Sequence, residues 1–332
     1  MTLLIATQDG VYRSQRGDLD DVERVLDSGV TLGVQSFDDH GTFVTSKTGL
    51  YHSTDSGSTW RQLDVPRPEV YAVTVSPDGT RLYAGTHPAH LYVSTDEGRT
   101  WTELDGFQAL PSRDRWHTPR HRGESHVRSL GVSSGAPNRV VAGVEVGGIH
   151  VSDDNGETWT ERRDDLQTAR EDDLQYDVHH LLVVSSDEYV VSCGGGLYRT
   201  RDTGYSWTRL DTGLDQSYFQ EAFAHRGTLY AAAQTLPPTL PAGSRYRKQD
   251  VNASLFESTD GGDTLETKSY PGGPDEFIYA WTAVNGRVLA GTTEGRVIIR
   301  DDGTWTSLGH VSSWIRSLHT ARGSDSEVSK ER

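Results

Sequence analysis

The chain has 332 residues, a formal net charge of −16 and a mean hydropathy of −0.61. That acidic field disfavours nucleic acid and anionic membrane as bulk partners, and no apolar run approaches the 18 or so residues of a spanning helix. A single cysteine, Cys193, has no partner for an intramolecular disulfide, and it lies in an apolar strand where an inert thiol is expected.

In chain order, residues 2–7 and 11–14 read as two strands with a turn between them. A short apolar and aromatic phrase then recurs: it starts at Gly10, Gly49, His90, Gly148, Gly196, Ser254 and Arg296, seven times in all. Each phrase is read as the third strand of a four-stranded unit. The second full unit shows the grammar, with an inner strand over 70–76, a Pro77-Asp78-Gly79 turn, a second strand over 81–86, the third over 90–94 and an outermost one over 100–104. Near the C-terminus, residues 313–318 supply one more inner strand with nothing behind it, while the N-terminal strands lack an inner one. Joining the two closes a ring and removes exposed edges. The expected architecture is therefore all-β, a single seven-bladed β-propeller over 1–320, with 321–332 as a disordered tail.

Between third and fourth strands stands a second repeat, Ser-x-Asp-x-Gly-x-Thr-Trp, at 53–60, 94–101 and 152–159, with variants at 200–207 and 258–265 and a shortened copy at 300–305. An Asp flanked by small polar residues can bond back onto backbone N–H groups, Gly supplies a positive φ, and the Trp anchors the next strand. Asp55, Asp96, Asp154, Asp202 and Asp260 are therefore read as structural. This motif is the Asp-box, and the chain resembles the Asp-box (BNR-repeat) β-propellers, a group that includes sialidases, sortilin-type receptor domains and a photosystem assembly factor. Only four of the 32 basic residues are lysines, and this acidic, arginine-rich balance resembles haloarchaeal proteins whose charge is screened by salt. Absence of an evident leader and the lone cysteine suggest a cytoplasmic setting.

An undecorated blade needs about 40 residues, yet the spacing is 58 both from His90 to Gly148 and from Gly196 to Ser254. The two insertions, 106–125 and 236–252, and a smaller one at 162–176, carry aromatic and basic residues and mark one face as the working face. On that face the inner strands bring Tyr71, His126, Arg128, Asp177, His179, Gln220, Tyr279, Trp281, Trp314 and Arg316 toward the channel mouth, with His87, Glu145 and Glu294 from second strands. Arg128, His179, Glu145, Arg316, His126 and Tyr279 form the candidate ligand set, suited to a small anionic ligand or an acidic partner segment.

The resemblance to sialidases implies an arginine trio, a Tyr–Glu pair and an early Arg-Ile-Pro signature. No Arg-Ile-Pro occurs. Arg128, Arg316 and an insertion arginine could stand for the trio, with Tyr279 or Tyr71 near Glu145, the candidate catalytic acid; Glu145 with Asp177 or Glu294 is the available carboxylate pair. Histidines 117, 121, 126, 150, 179 and 180 crowd two repeats without a metal-binding spacing, so no metal and no cofactor are expected. The expected function is a loop-rich face around blades four to six that binds a ligand or protein, and the alternative is a sialidase-like enzyme acting on an anionic sugar. Flat, unoccupied walls rimmed by Trp116 and Tyr246 would favour a protein partner.

Overall fold

The structure, a computed structural model, describes residues 2–321 apart from 16, 18, 119, 120, 163–176 and 236–250 and the side chain of residue 121. Its strands pair into seven four-stranded antiparallel sheets. Blade three follows the expected grammar, with Val70–Val75 innermost, then Leu82–Thr86, Leu91–Ser94 and the short outer strand Thr102–Glu103. The two inner strands are buried at every residue, because the neighbouring blades cover both faces of the sheet, while the outer strand meets water. Blades approach closely at small residues: a Cβ on Gly85 would lie 2.5 Å from Val127 Cγ1 of the next blade.

Blade one is assembled from both ends of the chain, as expected. Ile315–Ala321 pairs antiparallel with Thr2–Thr7, setting Ile5 against Leu318 and Leu4 against His319, and Gly10–Ser14 and Val22–Leu26 complete the sheet. Leu3, Ile5, Ile315 and Leu318 then share one core with Leu289 and Val297 of blade seven. The closing strand runs through Ala321, and the tail expected beyond it lies outside the described residues.

The Ser-x-Asp-x-Gly turns are built alike in five blades. In blade three, Ser94 Oγ donates to Asp96 Oδ1 (2.8 Å) and accepts the Gly98 N–H (2.8 Å), while Asp96 accepts from the Thr100 N–H (2.8 Å) and hydroxyl (2.6 Å). Asp55, Asp154, Asp202 and Asp260 accept the corresponding hydroxyl, each at 2.6 Å. The bonds from Thr100 and Ser94 hold the Asp96 carboxyl down to about 2. Trp101, part-buried, packs on a core made by blades two and three, including Phe43, Leu63 and Leu82.

Two further details concern these turns. The indole N–H of Trp60, Trp101 and Trp207 meets no acceptor among the described residues, whereas Trp159 donates to Gly156 O at 2.8 Å, so these side chains act by packing more than by hydrogen bonding. The shortened sixth copy forms no carboxylate-capped turn: Asp301 pairs with Thr304, leaving Asp302 and Gly303 (φ 44° and 80°) as a two-residue hairpin turn.

Trp116 also departs from its expected place. Instead of rimming the working face it is 2% exposed, packed against Phe107 and His150 with ring centroids 5.2 and 4.6 Å away, because its insertion folds over blades three and four as extra core. Tyr246 and most of the 236–252 insertion lie outside the described residues, as does most of 162–176.

Candidate functional site

The backbone itself makes the site. In every blade the pairing of the inner strand with the second strand slips by one residue near the start of the inner strand: between Thr31 and Gly33, Val70 and Ala72, Val127 and Ser129, Val178 and His180, Phe219 and Ala222, Ile278 and Ala280, and Ile315 and Ser317. Such a bulge leaves a residue outside the ladder and turns its side chain away from the sheet. Here it turns them all into the central channel. Leu32, Tyr71, Arg128, His179, Gln220, Tyr279 and Arg316 all border one cavity of about 150 Å³. The bulges lie near the starts of the inner strands, at the opposite ends of the blades from the Ser-x-Asp-x-Gly turns.

Three of these side chains meet. Arg128 Nη2 donates to the Tyr279 hydroxyl (3.1 Å), and Arg316 Nη1 donates to the same oxygen (3.3 Å). Blades four and seven stand as far apart as a ring of seven allows, so the Arg128 side chain spans the channel. Behind it, Glu145 Oε2 lies 2.9 Å from Arg128 Nη1 and 2.9 Å from His126 Nε2. Burial opposes the charge on Arg128, but the Tyr279 hydroxyl and the Glu145 carboxylate beside it outweigh that and move its pKa up. Arg316 lies against the Trp314 ring at 4.3 Å and has no carboxylate partner among the described residues. Arg128 is thus paired with Glu145 while Arg316 is paired with no carboxylate among the described residues, which leaves a guanidinium charge open at the channel of an acidic protein.

The chain matches the DUF6242 beta propeller domain over residues 25–297. It belongs to that family. No curated protein matches it in sequence. Among solved structures, an ancestral GH74 enzyme is similar with a TM-score of 0.63 and 15% identity over 83% of this chain and 38% of that one. The GH74 xyloglucanase from Xanthomonas campestris gives 0.59 and 16% over 92% and 46%, so this chain spans less than half of either enzyme. YCF48 bound to D1 peptide gives 0.58 and 15% over 92% and 84%. At these identities the likeness is one of fold.

Within the DUF6242 propeller the candidate residues separate into two groups. Arg128, His179, Tyr279 and Arg316 border the cavity together with Tyr71 and Gln220. Glu145, 2% exposed, and His126, fully buried, stand behind Arg128 and hold it rather than lining the cavity. His179 Nδ1 donates to Phe219 O at 2.6 Å and its Nε2 lies 3.5 Å from Asp177 Oδ2, so this ring also ties blade five to blade six. Burial pushes the Tyr71 hydroxyl up to about 12, which keeps it a neutral donor. Trp281 belongs to a hydrophobic core, and His87 lies off the cavity wall beside Glu69 and Arg122, its ring 5.8 Å from that of His126. Glu294 is exposed and lies off the cavity. His150 is buried with its Nε2 on Gly147 O at 3.1 Å, and among the described residues no three His, Cys, Asp or Glu side chains gather for a metal ion.

Sequence reading missed Leu32, Gln35, Thr45 and Glu221 on the cavity wall and weighed His180 only as a metal ligand. The signal was present. Aligning the inner strands on Thr31, Val70, Val127, Val178, Phe219, Ile278 and Ile315 puts every bulged residue in one column, with the residues that follow in the next.

Proposed function

We propose that this chain is a binding propeller whose channel holds the anionic group of a small molecule, a carboxylate by preference, on Arg128 and Arg316. The observation that carries the reading is the meeting of both guanidinium groups at the Tyr279 hydroxyl, 3.1 and 3.3 Å away, with Glu145 as the one carboxylate in contact with Arg128 among the described residues. A planar guanidinium accepts a carboxylate through two parallel bonds, and two of them held on rigid strands need little ordering when the ligand arrives. A cavity of about 150 Å³ is the size that takes a benzene-sized molecule, about six non-hydrogen atoms. That favours a short acid, or the last residue of a peptide, over a sugar chain. We read the repeated turns as Asp-boxes, which makes the rim a scaffold and leaves recognition to the channel. A glycoside-processing role would need Glu145 at the cavity surface, and it is buried under Arg128 and His126.

The test is calorimetric titration with short carboxylates and with inorganic phosphate. Wild-type protein is expected to bind a four-carbon carboxylate, with affinity reduced about tenfold or more in Arg316→Lys, which keeps the charge and loses the fork. Equal binding by Arg316→Ala, or none by wild type at tens of millimolar, would overturn the reading.

A further inference from the structure

The residue that follows each bulge is Gly, Ala or Ser in five blades: Gly33, Ala72, Ser129, Ala280 and Ser317. Small size suits that place, since these residues sit at the neck where inner strands of adjacent blades come together. In two of them the hydroxyl staples neighbouring blades: Ser129 Oγ accepts the Leu181 N–H at 3.1 Å and Ser317 Oγ accepts the Val34 N–H at 3.2 Å. The two remaining blades, five and six, are neighbours. There the same place is taken by His180 and Glu221, both on the cavity wall.

Neither makes a staple. His180 Nδ1 is buried without a hydrogen-bond partner, and Glu221 forms no side-chain hydrogen bond among the described residues. Around the same cavity Gln220 Oε1, Thr45 Oγ1 and Arg316 Nε are also buried and unpartnered among the described residues. Buried polar atoms in native proteins are almost always satisfied, so several open ones converging on one void mark a place where something else supplies the bonds. Removal from bulk water pushes the Glu221 carboxyl up to about 8 and, with the Arg128 charge, pushes His180 down to about 4. At neutral pH the pair is uncharged: a carboxylic acid that can donate and a ring that can accept or donate.

We infer that the channel is a two-ended site for a short acid with a second, uncharged polar end, its carboxylate on Arg128 and Arg316 and a hydroxyl or carboxamide on His180 and Glu221. This deepens the anion reading above and rests on it. The two ends are set by different blades and different chemistry: guanidinium groups from blades one and four against neutral polar groups from blades five and six. A ligand of about six or seven non-hydrogen atoms reaches both within the cavity. A bare alkyl tail would leave Glu221 and the open atoms of His180, Gln220 and Thr45 unmet, and an ammonium would meet a neutral acid and a neutral imidazole instead of a carboxylate.

The experiment is titration of the full chain with butyrate, 4-hydroxybutyrate and 4-aminobutyrate at pH 7, with melting curves run on every variant. Wild type is expected to bind 4-hydroxybutyrate about tenfold more tightly than butyrate. Glu221→Leu should abolish that preference, and Glu221→Gln, which keeps a donor and an acceptor, should retain most of it. Should Glu221→Leu fail to fold, His180→Phe is the substitute and must show the same loss. Equal binding of butyrate and 4-hydroxybutyrate by wild type would sink the second end and leave the anion site standing, since ordered water then fills the neck. Tighter binding of 4-aminobutyrate would overturn the uncharged class. Binding of none of the three would remove the anion reading and this inference together.

Discussion

The rim turns and the channel ring are both repeated around the same propeller, and they treat repetition in opposite ways. On the rim, five blades carry nearly the same letters and make the same bonds, with a carboxylate held at 2.6 Å by a Thr or Ser hydroxyl in each. In the channel, seven blades make the same backbone bulge and fill it with Leu32, Tyr71, Arg128, His179, Gln220, Tyr279 and Arg316. Same side chains in a repeated place mean that each blade needs the same local turn. Different side chains in a repeated place mean that the backbone device is shared and the contents serve something other than the blade. The difference fits stability at the rim and, under the proposed function, recognition in the channel, and substitutions can break that division.

The largest expected effect is away from the channel, in the outer strand Thr304–His310. Trp305, 5% exposed, packs on Tyr230 and Trp281 with centroids 6.1 and 5.9 Å away and donates to Glu257 Oε1 at 2.9 Å, where Arg300 Nε also binds at 2.7 Å. Trp305→Ala removes that packing and one partner of a buried carboxylate, so denaturant unfolding should show a loss of about 3–5 kcal/mol. Carboxylate binding per folded molecule should not change. A variant that melts like wild type but binds less would reverse the assignment.

How much of this was legible in the sequence follows from the same contrast. The fold was readable because Ser94, Asp96, Gly98 and Thr100 are needed by type, and a need for type leaves a repeated string. The ring closure was readable because Ile315 and Leu318 echo Val127 and Leu130 in an inner strand. The site was only partly readable, since a bulge is a property of hydrogen-bond register and imposes no letter: Leu32 and Gln220 occupy equivalent places with nothing in common as residues. Arg128 and Arg316 stood out because charge on an inner strand is conspicuous, and Glu145 stood out as a charge at the end of an apolar second strand although it serves Arg128 from behind. Trp116 was misplaced because an insertion's aromatic residue can extend a core as readily as rim a face.

A smaller effect is expected one bond at a time. Ser94, 2% exposed, both receives the Gly98 N–H and orients Asp96, so Ser94→Ala strands a buried donor and should cost about 1–3 kcal/mol, again without effect on binding. The acid limb of stability belongs to the same turns. Asp96, held to about 2 by Thr100 and Ser94, has a folded value below that of an ordinary carboxyl, so its contribution is full above about pH 4 and is lost as pH falls toward 2. Melting temperatures between pH 4 and 2 should therefore drop less steeply for Asp96→Asn than for wild type. Parallel slopes would mean that the turn carboxylates are not what acid attacks.

The last effect tests the channel by its cost to stability and is graded by pH. Glu221 is pushed up to about 8 by its removal from bulk water, whereas in the unfolded chain it titrates near 4.3. Below pH 4 both states hold the proton and Glu221 costs nothing by ionisation. Between about 4.3 and 8 the folded state retains a proton that the unfolded state has released, so stability falls as pH rises; above 8 both are ionised and the penalty is constant. Glu221→Gln does not titrate, so its melting temperature should exceed that of wild type by an amount that is near zero at pH 4, grows through pH 6 and levels off at about pH 8. His180, pushed down to about 4, slopes the other way in both proteins and cancels in the difference. A residue retained at such a cost in a place where five blades carry Gly, Ala or Ser contributes nothing to the fold that a small residue would not, which is what a recognition group looks like from the side of stability. Difference curves that stay flat from pH 4 to 8 would show that Glu221 is solvated like any surface carboxylate, and the channel would lose its neutral end.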